Sequence, residues 1–226
     1  MSADRLRDLV AAWTAKGFQV NTHAIGDAAN KMALDVYQAT LQQTATTNKE
    51  LRLRIEHAQI MCQEDIVRTG RLGIIASMQP THATSDMDYA EARLGPERIK
   101  GAYAWQSLSR AGAPLALGSD FPVERINPLE GFHSAISRLN RTGGSPHGPE
   151  GWYPQERMTR AQTLQGFTSG AAYARFAEDK LGKLEVGMKA DLVVVDMDIM
   201  KVDTVDIRKA FVMTTIIDGR IVFGKL

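Results

Sequence analysis

The 226 residues are 44% hydrophobic and 23% charged, the composition of a globular chain with enough apolar content to bury a core. Lys+Arg of 27 against Asp+Glu of 26 leaves a net charge of +1, which excludes the general basic field that attracts nucleic acid or an anionic membrane. One cysteine, Cys62, excludes an internal disulfide and suits a reducing compartment, and no apolar run reaches membrane-spanning length. The polar start Met1-Ser2-Ala3-Asp4 lacks the pattern of a signal or transit peptide, so a cytoplasmic protein is expected.

Leu6, Leu9, Val10 and Trp13 recur at helical spacing, Gly17 stops that helix, and Phe18 to Thr22 reads as a short strand ending at His23. Ala24-Ile25-Gly26 is a loop, and Asp27 caps a helix running through Met32, Leu34, Val36 and Leu41. A polar connector over 44–49 leads to Leu51 to His57, which alternates apolar and polar as a strand does and ends at another histidine. A helix around Glu64 to Arg68 precedes a third strand, Leu72 to Met78, with Gln79-Pro80-Thr81-His82 just beyond it. Helical stretches at Ala90 to Arg93 and Ala102 to Ala111 return the chain to Pro114-Leu115-Ala116-Leu117, an apolar run that stops at Gly118-Ser119-Asp120.

Asp120 has two readings: a carboxylate delivered by a buried strand, or a turn cap before Pro122. The neighbouring strands favour the first. Four strand-then-helix units in succession predict a parallel sheet with crossover helices, and each strand finishes in, or just before, a His or an Asp. One such histidine is ordinarily structural, but four polar groups sharing one sheet edge predict a site.

Beyond Pro122, residues 138–155 form a Gly/Pro-rich loop containing His147, Trp152 and Tyr153, predicted to be a mobile cover. The Asn140-Arg141-Thr142 sequon is a chance match. Thr159 and Gln162 suit a capping box, and Leu164, Phe167, Ala171 and Ala174 continue that helix. From Leu181 the pattern changes to short strands: Asp191 to Asp196, Phe211 to Ile217, then Ile221 to Phe223 after an Asp218-Gly219 turn. Two parts are expected, the strand–helix units over 1–180 and a small antiparallel appendage over 181–226.

Asn21-Thr22-His23-Ala24-Ile25-Gly26-Asp27, Arg54-Ile55-Glu56-His57-Ala58-Gln59, Met78-Gln79-Pro80-Thr81-His82 and Gly118-Ser119-Asp120-Phe121-Pro122 resemble successive strand-end motifs of the amidohydrolase superfamily, in its amidohydrolase-3 branch of N-substituted formamide deformylase-like proteins. The tail from Gly182 to Val194 is similar to the junction where that superfamily's barrel returns to its β-sandwich. The resemblance implies an α/β fold, the carboxyl-terminal half (strands five to eight) of a (β/α)8 barrel with a small antiparallel appendage. It implies His23, His57 and Asp120 as metal ligands, Asp120 also as the catalytic proton carrier, and His82, Gln79 and Trp152 as substrate contacts. A divalent metal, Zn²⁺ first among candidates and one or two ions in the complete site, would activate water against a non-peptide carbon–nitrogen bond of a small amide or formamide-like substrate. Glu56 and Gln59 flank His57 as supporting partners or as members of strand-side contacts.

The family's His-x-His on its first strand and its metal-bridging Lys or Glu on the fourth have no counterpart here. Whole barrels need about 250 residues, so residues 1–180 supply four units of eight. The missing half, or a second copy of the chain, is therefore an expected partner; no nucleic acid or membrane partner is expected. The competing reading is a catalytically silent fragment acting as an assembly or binding subunit. A dinucleotide-binding domain is disfavoured because its glycine fingerprint is absent.

Overall fold

The computed structural model describes residues 1–44 and 50–225, so the connector expected over 44–49 lies, but for Thr44, outside the described residues. It is an α/β structure of two compact units. The first comprises Met1–Met78 and Tyr89–Ala116, the second Gln79–Asp88 and Leu117–Leu226. No described helix is long and apolar enough to cross a membrane.

In the first unit, helix α1 (Ala3–Ala15) starts where the Ser2 side chain accepts a hydrogen bond from the Arg5 N–H. It buries Leu6, Val10 and Thr14, one face at i, i+4, i+8. Trp13 therefore turns outward, its ring edge-on to Phe18 at 5.2 Å between centroids. Strand β1 (Asn21–Ala24) begins three residues later than the apolar pattern predicts, so His23 lies inside the strand. Helix α2 (Asp27–Thr44) follows, and the Asp27 carboxylate both accepts from the Ala28 N–H and pairs with Arg98 at 2.7 Å, which holds its carboxyl below the usual range.

Strand β2 is confined to Arg54–His57, because Arg52, at a φ of 44°, breaks the extended run that alternation predicts from Leu51. Helix α3 (Gln63–Arg71), strand β3 (Ile75–Met78) and helix α4 (Pro80–Arg98, broken at Gly95) come next, then α5 (Trp105–Arg110) and β4 (Leu115–Leu117). The sheet order is β1-β2-β3-β4, with β1, β2 and β3 parallel. Ile55, Ile75, Ala76 and Met78 are buried on it, as a sheet covered on both faces requires. Gly70 of α3 sits so close to α5's end that an added Cβ would meet the Ala111 carbonyl oxygen at 1.8 Å.

The second unit contains a helix that periodicity does not reveal, α6 (Pro128–Ser137). Its start is written locally: the Asn127 side chain accepts from the Leu129 N–H, and Pro128 occupies the first turn. Its body is not, because Leu129 and all of residues 131–135 are buried, and a helix buried nearly all round has no amphipathic stripe. Helix α7 (Arg160–Gln165) begins at the predicted Thr159–Gln162 capping box and runs through a π-turn at Gly166–Gly170 into α8 (Ala171–Ala174). Strands β5 (Leu192–Val195), β6 (Val212–Ile217) and β7 (Arg220–Gly224) form the predicted antiparallel sheet, turned at Asp218-Gly219, both at positive φ.

Candidate metal and acid–base site

In the first unit, the parallel register sets Ala24 beside His57 and His23 beside Glu56. The two imidazoles consequently meet, with ring centroids 4.4 Å apart at 75°. His57 ends β2 with a φ of 75°, and Ala58 follows at 46°. Two consecutive side-chain-bearing residues in the left-handed region cost about 1–3 kcal/mol each, and such strain gathers at functional sites.

Helix α2 holds both strand ends. The Asn30 side chain, wholly buried, places Nδ2 at 3.1 Å from the Ile25 and Gly26 carbonyls, just past His23, and at 3.0 Å from the Ile60 carbonyl, just past His57. Two turns on, Tyr37 donates to the Arg54 carbonyl at 2.9 Å and lies 2.6 Å from Thr22 Oγ1. Burial pushes its phenol well above the ordinary range, so it stays a neutral donor. Sequence reasoning missed Asn30: a polar residue at a buried position of an otherwise apolar helix face was the available signal. Asn30→Ala is expected to cost about 1–3 kcal/mol, since it removes the buried hydrogen bonds by which one side chain joins the two strand ends, lowering the thermal midpoint by about 2–4 °C per kcal/mol. Thermal unfolding followed by circular dichroism checks this.

The residues flanking His57 have structural partners. Glu56 pairs with Arg54 at 2.7 Å, and the Gln59 carboxamide donates to the Tyr103 hydroxyl at 2.6 Å while the Gln59 backbone carbonyl accepts from the Tyr103 N–H.

In the second unit, Asp120 follows β4 with a φ of 58°, and its carbonyl accepts from the Val123 N–H at 2.8 Å, closing a turn. His82, in the first turn of α4, sets Nε2 at 3.6 Å from Asp120 Oδ2. Gln79 is buried at the start of that helix, where its carbonyl accepts from the His82 N–H.

Trp152 is placed differently from the expected substrate contact. Its side chain is wholly buried, with the Arg138 guanidinium 5.2 Å from the ring centroid, so it builds the core and offers no surface to a ligand. The loop over 138–155 is tied to itself and to its base. Asn140 Oδ1 accepts from the Thr142 and Gly144 N–H groups, the Trp152 N–H donates to the Arg138 carbonyl, and Arg138 Nε donates to the Trp152 carbonyl. These contacts argue against a mobile cover. His133 of α6, also in this unit, is buried, and desolvation first, then the Arg208 guanidinium, drives its pKa down to about 4. Ser137 donates to the His133 carbonyl at 2.7 Å.

The model of the Amidohydrolase family matches residues 1–223. The chain belongs to that family. Protein LONG AFTER FAR-RED 3 of Arabidopsis thaliana is 38% identical over 221 residues, covering 97% of this chain and 36% of that protein. N-substituted formamide deformylase of Arthrobacter pascens is 28% identical over 220 residues, 96% of this chain and 39% of that protein, which supports the amidohydrolase-3 branch. The crystal structure of an uncharacterized metal-dependent hydrolase from Pyrococcus horikoshii superposes with a TM-score of 0.78 at 29% identity, over 90% of this chain and 39% of that one. This amidohydrolase-family chain thus spans well under half the length of these relatives.

Proposed function

We propose that this chain is the carboxyl-terminal half of a metal-dependent hydrolase that cleaves non-peptide carbon–nitrogen bonds in small amide or formamide-like substrates. The observation that carries the reading is the His23–His57 ring pair at two adjoining strand ends, with the backbone held left-handed at His57 and Ala58. Two imidazoles in ring contact, with a carboxylate in the motif set, fit a divalent cation: each offers a ring nitrogen lone pair when neutral. His23, His57 and Asp120 are the proposed ligands, and His82, whose Nε2 faces the Asp120 carboxylate, is a further candidate. Zinc is the proposed ion, one or two per complete site, and when bound it supplies Lewis acidity and lowers the pKa of water.

Asp120 takes the proton of the attacking water and returns it to the departing nitrogen, the step for which a carboxylate at a strand end is suited. His82 orients that carboxylate and, with Gln79, contacts the substrate. The formamide deformylase relative supports a formamide-like substrate class. The missing amino-terminal half of a (β/α)8 barrel, or a second copy of the chain, is the proposed partner at this site. The lone Cys62 and balanced charge suit the cytoplasm. The second reading is a non-catalytic assembly or binding subunit.

Metal content by mass spectrometry and formamide hydrolysis, each with and without an added His-x-His-bearing amino-terminal half from a family member, separate the two readings. Metal binding and turnover that rise together on adding the half, and are lost in His57→Ala, are expected. Metal-free, inactive protein in every combination would leave the assembly subunit as the surviving reading.

A further inference from the structure

We propose that the Ser85–Glu124 hydrogen bond sets the separation of His82 from Asp120, making Ser85 and Glu124 positioning residues for the acid–base pair; the catalytic part of this rests on the function proposed above. Ser85 Oγ donates to Glu124 Oε1 at 2.5 Å, the short distance of a hydrogen bond to a charged acceptor. His82 and Ser85 are three residues apart on α4, which puts them on one helix face. Asp120 and Glu124 flank the turn closed by the Val123 N–H on the Asp120 carbonyl. The same two segments are therefore joined twice, one helical turn apart.

The two joints differ in strength. His82 Nε2 and Asp120 Oδ2, 3.6 Å apart, are beyond direct hydrogen-bond length, so that contact does not hold its own geometry. Asp120 also sits at a positive φ, a conformation that needs support from its surroundings. Burial does not provide it, because Phe121, Val123 and Ile126 are all exposed. Glu124 supplies the tie, and Ser85 keeps that second carboxylate turned toward the helix, away from competition with Asp120 for the imidazole.

Ser85 is exposed, so its replacement leaves the core intact. The test uses the metal-free chain at one fixed pH and reads the His82 ring resonances and the Asp120 and Val123 amides by NMR in the unsubstituted chain, Ser85→Ala, Glu124→Gln and Ser85→Thr. Ser85→Ala and Glu124→Gln are expected to shift those signals with the thermal midpoint nearly unchanged, and Ser85→Thr, which restores the hydroxyl, to return them. Signals that coincide with the unsubstituted chain in both Ser85→Ala and Glu124→Gln would overturn the proposal. With the amino-terminal half added, Ser85→Ala is expected to lower kcat about 10- to 100-fold with KM little changed, and Ser85→Thr to recover it. Coupled NMR shifts without turnover in any form would instead refute the hydrolase reading and leave the positioning contact standing.

Discussion

Asp120→Asn, in the chain assembled with its amino-terminal half and saturated with metal, is expected to lower kcat about 10²- to 10⁴-fold, the range that a positioned general acid–base contributes. Asparagine keeps the size of the side chain and can still accept a hydrogen bond, but it cannot carry a proton from water to the leaving nitrogen. The conformational requirement is also met, since Asn is among the residues that tolerate the left-handed region Asp120 occupies at a φ of 58°. Loss of activity therefore reports chemistry rather than folding. Kinetics at saturating metal, with occupancy measured on the same sample, check it; a kcat within a few-fold of the unsubstituted protein would remove Asp120 from the proton-transfer role.

The stability of the chain is expected to fall as the pH drops from about 6.5 toward 4, by on the order of 2 kcal/mol from His133 alone. The sign follows from the protons bound. Unfolded His133 takes up a proton near its ordinary 6.5, whereas the folded residue, buried and facing Arg208, resists protonation until about 4. Between those values the unfolded state binds more protons, so stability rises with pH, is complete above 6.5, and has lost this contribution entirely below 4. Urea midpoints at pH 4, 5, 6 and 7 measure the slope. In His133→Phe the His133 part of that slope should vanish, while a substitution at the exposed His147 should leave it in place.

Much of the candidate site was legible because its signals are local. His23, His57, His82 and Asp120 each lie at, or within four residues of, a strand end. An apolar run interrupted by a polar group is visible in a few residues of sequence. The Thr159–Gln162 box and the Asp218-Gly219 turn are equally local, each a preference of two or three side chains for one backbone geometry, and both are where the pattern places them. Asn30 was not legible, since its partners, the carbonyls after two different strands, are brought to it only by folding. Trp152 was misread for the same reason: an aromatic residue in a Gly/Pro-rich segment resembles a cover until Arg138 is seen beneath its ring.

Composition, alternation and turn chemistry were thus sufficient for the α/β class, the succession of the strands and the residue types found near their ends, because those properties depend on neighbours in the chain. Which imidazole meets which, where α6 is buried, and how Ser85 and Glu124 tie the Asp120 turn to α4 depend on residues 34 and 39 positions apart or on packing from all sides. No local preference encodes such contacts; they exist only once parallel register and helix packing have closed the intervening chain.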